Sequence, residues 1–92
     1  MKLGTVTQQP DERLSYTFKY DEFLTDGDNI QTAIGVVEPA GLTVEAVTVI
    51  DPRVRFWLSG GAAGGKYKVT ITSNTSDGRV LQDELTVKIK DY

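Results

Sequence analysis

The amino-acid sequence predicts an all-β fold, a small immunoglobulin-like antiparallel β-sandwich of about seven strands. Apolar and polar residues alternate through most of the chain, which is the period of a half-buried strand. Turn-forming residues recur at short, regular spacing between the alternating runs, and no run follows a helical period. The chain has 92 residues and no cysteine, so the Cys-Trp-Cys signature of antibody domains is absent. The expectation therefore concerns the architecture and not that family.

Residues 1–13 mix Thr, Gln, Pro and charge without periodicity and read as a mobile arm or an early edge strand. Residues 14–92 form the sandwich domain. Leu14, Tyr16, Phe18 and Tyr20 share one parity and Ser15, Thr17 and Lys19 the other, giving an aromatic-rich strand. Asp21, Glu22, Phe23 and Leu24 suit one helical turn with Asp21 as its cap. The segment Thr25-Asp26-Gly27-Asp28-Asn29 then favours a loop. Ile30, Thr32, Ile34 and Val36 alternate in the next strand, which Pro39 and Gly41 end. Leu42, Val44 and Ala46 fall on one parity but Val47 and Val49 on the other, so a bulge or a shift of face is expected mid-strand. Asp51-Pro52 turns the chain once more.

The clearest stretch is 54–89, which reads as three consecutive strands forming one sheet core. Val54, Phe56 and Leu58 alternate with Arg53, Arg55 and Trp57. The connection Ser59-Gly60-Gly61-Ala62-Ala63-Gly64-Gly65 follows, and then Tyr67, Val69 and Ile71 share a parity. Asp77-Gly78 predicts a two-residue hairpin turn, because Asp and Gly tolerate the positive φ that such turns need. Leu81, Leu85, Val87 and Ile89 close the pattern.

Composition excludes several functions. The net charge is −3, the pI is near 4.8, and histidine is absent as well as cysteine. That balance argues against nucleic acid as a partner, and the missing residue types remove the common ligands of structural zinc. No apolar run is long enough to cross a bilayer, and no secretory leader is recognisable at the N-terminus, so no membrane partner is expected. Residues 60–66 spell G-x-x-x-x-G-K, the opening of a phosphate-binding loop. Tyr67 replaces the magnesium-binding Ser or Thr, and the following residues alternate as a strand where a helix is required. Asp21, Glu22, Asp26 and Asp28 are the one dense acidic cluster, at a spacing that fits no EF-hand. Without His or Cys, an enzyme would depend on Asp, Glu, Ser, Lys or Tyr alone, so neither catalysis nor a cofactor is expected. Asn74-Thr75-Ser76 matches a glycosylation sequon and reads as coincidence. Trp57 lies opposite the apolar parity beside Arg53 and Arg55. Its plain role is to cap an edge or a second sheet. Its sharper role is an aromatic anchor for a partner, since Trp and Arg are enriched at binding hot spots.

Several stretches, taken in order, resemble a family of small bacteriophage virion proteins, the fibre–tail adaptors and related tail-associated structural proteins. They are DERLSYTFKY (11–20), EFLTDGDNIQTAI (22–34), PAGLTV (39–44), the WLSGG-to-Tyr67 region (54–67) and the Gly-Arg hairpin (75–87). The resemblance implies a virion structural module, an immunoglobulin-like fold and no catalysis. It further implies partners among tail, fibre or capsid subunits, and multiple copies on a symmetric particle assembled in the bacterial cytoplasm. Arg53, Arg55 and Trp57, with Gly60, Gly61, Gly64 and Gly65, are the candidate partner-binding residues. Other readings are a capsid decoration protein, a carbohydrate-binding module using Trp57, Tyr67 and Tyr92, and an enzyme acting through Asp26 and Asp28.

Overall fold

The alternating runs become seven strands in the computed structural model, which describes residues 2–20, 24 and 27–90. They are β1 (Lys2–Gln8), β2 (Arg13–Lys19), β3 (Ile30–Glu38), β4 (Leu42–Ile50), β5 (Arg53–Gly60), β6 (Lys66–Thr75) and β7 (Val80–Ile89). A four-stranded sheet runs β1-β7-β6-β3 and packs on a three-stranded sheet, β2-β5-β4. No helix occurs among the described residues, and the small β-sandwich predicted from the sequence is the fold found. One pair is not antiparallel: β1 runs parallel to β7, with Val6 beside Val87 and Gln8 beside Ile89. The turn anticipated at 21–24 falls largely outside the described residues.

The core follows the parity of the sequence. Phe18, Val54, Phe56 and Leu58 project from one sheet against Val69, Ile71, Val87 and Ile89 from the other, all nearly inaccessible. Phe18 and Phe56 meet with ring centroids 5.0 Å apart, and Tyr16 stacks on Phe56 at 5.9 Å. Offset and tilted contacts of this kind suit the quadrupoles of the rings.

The structure corrects three local expectations. Strands 54–89 do not form one sheet: β5 lies in the three-stranded sheet, while β6 and β7 are central to the other. The glycine-rich segment is thus the crossover between sheets. Alternation reports which face is buried and is blind to which sheet a strand joins. The Asp77-Gly78 turn is also longer than two residues, since β6 ends at Thr75 and β7 begins at Val80. The Gly78 N–H bonds to the Thr75 carbonyl at 3.1 Å, and Gly78 has φ +89°. A turn followed by one glycine at positive φ is the usual longer hairpin. Finally, β3 does not bury Ile34 and Val36. A register shift between Ile30 and Thr32 moves them outward, and Ala33, Gly35 and Val37 turn inward. A single extra residue reverses every side chain beyond it.

The bulge expected in β4 is present. Its pairing with β5 shifts between Glu45 and Thr48, and Ala46 takes φ +51°.

Candidate interaction surface

Each residue on the outside of the three-stranded sheet is placed by strand register. The exposed parity of β5 carries Arg53, Arg55, Trp57 and Ser59. On one side β2 sets Lys19 opposite Arg53, Thr17 opposite Arg55, Ser15 opposite Trp57 and Arg13 opposite Ser59. On the other, β4 sets Ile50 opposite Arg53, Thr48 opposite Arg55 and Glu45 opposite Trp57. The structure therefore brings the predicted Arg53, Arg55 and Trp57 onto one face. It adds Arg13, Lys19 and Glu45, which sequence reasoning did not assign to the site. The signal was available in the alternation of 13–19, whose outward parity ends in a cation at each side.

Trp57 is half-buried within this face. The Arg13 guanidinium lies 4.3 Å from its ring centroid, and Arg13 Nε donates to Glu45 Oε1 at 2.8 Å. Arg13 and Glu45 each keep about half of their side-chain surface open to solvent. The stack is worth about 0.5–1 kcal/mol at an exposed site and fixes the indole plane. Lys19 and Arg53 are like charges placed directly opposite, an unfavourable cross-strand pair. Four exposed cations against one acid make this face basic on a chain whose net charge is −3.

Of the predicted glycines, Gly60 ends β5, and Gly61, Gly64 and Gly65 lie in the crossover 61–65 at the end of the same sheet. Here the geometry is internal. The loop folds over Tyr67, whose hydroxyl accepts from the Ala62 N–H at 3.0 Å. Gly64 N–H donates to the Ile89 carbonyl at 2.7 Å, and Ile89 N–H donates to the Gly65 carbonyl at 2.9 Å. A Cβ on Gly61 would come within 2.7 Å of Ile89, and one on Gly65 within 2.9 Å of Tyr67. Gly61 and Gly65 thus have packing reasons to be glycine, while Ala62, Ala63 and Gly64 present the loop outward. Gly64 and Gly65 also border a shallow depression with Lys66, Lys88 and Lys90.

Tyr67 is buried, which removes it from any sugar-stacking surface shared with Trp57; Tyr92 lies outside the described residues. Of the acidic cluster, Asp21, Glu22 and Asp26 also lie outside them, and Asp28 is buried. Its Oδ1 accepts from Asn29 N–H at 3.0 Å, Ser76 Oγ at 2.9 Å and Asp77 N–H at 3.0 Å. Burial alone raises the pKa of this carboxyl. The hydrogen bonds from Asp77 and Ser76 lead those that outweigh it, so the group is held below its ordinary value. Asp28 is a clasp between the β2–β3 loop and the β6–β7 hairpin. Among the described residues no three acidic, histidine or cysteine side chains gather as a metal site.

The described residues thus form a small β-sandwich with a basic, aromatic outer face. A model of the podophage GP4 fiber-tail adaptor protein gp77 family matches residues 8–88. The chain belongs to that family of phage tail adaptors, and no curated protein matches it significantly.

Proposed function

We propose that this protein is a non-enzymatic joint in a podophage or prophage virion, linking tail to fibre in several copies per particle. The observation that carries the proposal is the family match, which reaches from the last residue of β1 into β7. The match thus spans β2 to β6 and nearly all of β7, which supports reading the adaptor role as one of the sandwich itself. The contact face is the outside of β2-β5-β4, where Trp57 is the aromatic anchor and Arg13, Lys19, Arg53 and Arg55 receive an acidic partner surface. Complementary charge steers docking and fixes its register. The opposed Lys19 and Arg53 are relieved when a partner carboxylate lies between them.

Electron microscopy of particles assembled without the protein tests the role. Tails lacking fibres are expected, and immunogold label on complete particles should sit at the tail–fibre junction. Fully fibred, infectious particles without the protein, or label confined to the head, would refute it.

A further inference from the structure

We propose that β3 pairs antiparallel with β3 of a second copy of this chain, about a two-fold axis at Gly35. A sandwich has four edge strands, here β1, β3, β2 and β4. An unprotected edge is a template for another strand, so native edges are blunted by charge, bulges or breaks. Three of these edges are blunted. β1 has a register shift between Lys2 and Gly4, with Gly4 at φ +119°. β2 is capped by Arg13 and Lys19. β4 carries Glu45 and the bulge at Ala46.

β3 differs. Its one irregularity lies at its start, and from Thr32 to Glu38 it pairs regularly with β6 alone. The sequence TAIGVV between those points contains no charge and no proline, and no residue from 31 to 38 is buried. Ile34 is 61% exposed and Val36 51% exposed, side by side on the outer face. Gly35 between them is explained from within, since a Cβ there would lie 3.1 Å from both Ile71 and Val44. The apolar exposure beside it has no such internal reason.

The occupant is set by self-complementarity. Antiparallel pairing about Gly35 opposes Ile34 with Val36 of the second copy, and Ala33 with Val37. Glu38, the one charge in the strand, then meets Thr32, so no like charges face each other. Four aliphatic side chains close into one strip, and the free edge amides and carbonyls of both copies are satisfied. A two-fold contact of this kind closes on itself and does not propagate.

The test is the mass of the wild-type protein by light scattering across a concentration series, beside Ile34→Lys and Val80→Lys. Val80 is 64% exposed on β7, away from the β3 edge, so it controls for surface charge. Circular dichroism verifies that all three are folded. The wild type and Val80→Lys should be dimers at high concentration and Ile34→Lys a monomer. Because the chain has no cysteine, Ile34→Cys also allows a clean cross-link. The two Ile34 positions would be diagonal neighbours, with Cα atoms about 7–8 Å apart, within reach of a short bismaleimide. A monomeric wild type, a dimeric Ile34→Lys, or failure of Ile34→Cys to cross-link would each overturn the proposal.

Discussion

Asp28 shows how a residue that looks like a ligand in the sequence can be spent on architecture. Its carboxylate holds two loops together through the N–H groups of Asn29 and Asp77 and the Ser76 hydroxyl. Its folded pKa lies below the ordinary value of 3.8, so in acid the unfolded chain binds the proton more readily than the folded one. Stability from this group is complete above the unfolded pKa and is lost as pH falls through that value towards the folded one. Asp28→Asn should lower the melting temperature at neutral pH and flatten its fall between pH 5 and pH 3, measured by thermal melts. An unchanged acid limb would contradict the clasp. The glycines divide in the same way. Gly61→Ala forces a side chain into φ +91° and against Ile89, whereas Gly78→Ala, at φ +89°, meets open space. Left-handed backbone costs a non-glycine residue about 1–2 kcal/mol, and crowding in a packed site adds about 1–3 kcal/mol. Chemical denaturation should therefore show Gly61→Ala as the more damaging of the two by at least about 1 kcal/mol.

At the scale of the element, the strands were legible because alternation is a direct record of burial. The aromatic parity of β2 and the Val54-Phe56-Leu58 parity of β5 both point into the core. What alternation could not carry was the partition between sheets. The crossover at 61–65 and a hairpin connection look alike in composition, and long-range pairing decides between them. Parity also misled in β3, because the register shift at Ile30–Thr32 leaves no mark in residue types. The candidate surface was half legible. Arg53, Arg55 and Trp57 lie on one strand, whereas Arg13, Lys19 and Glu45 reach the same face only through pairing. Binding and stability should separate on this face. Arg53→Glu replaces a repelling neighbour of Lys19 with an attracting one, a gain of about 0.2–1 kcal/mol. The variant should melt no lower than wild type yet bind the proposed acidic partner surface less well.

At the scale of the whole molecule, 92 residues without a disulfide rest on one apolar core shared by two sheets. The described residues span 45 × 19 × 19 Å, a short rod with loops at both ends and β-sheet along its sides. Such a rod offers side faces and edges more readily than clefts, which suits the proposed joint between tail and fibre. Its basic face looks one way, while the edge of β3 belongs to the opposite sheet. Pairing with a second copy and docking through Trp57 thus use different parts of the surface.

The central claim is that this sandwich joins fibre to tail through the outer face of β2-β5-β4. Reconstitution tests it most directly: fibreless particles assembled without the protein are mixed with purified fibres and either wild-type protein or the folded Arg53→Glu/Arg55→Glu variant. Counting fibres per tail by electron microscopy should show restoration with the wild type and little or none with the variant. Equal restoration by both would contradict the assigned face, and fibres attaching without any added protein would contradict the adaptor role itself.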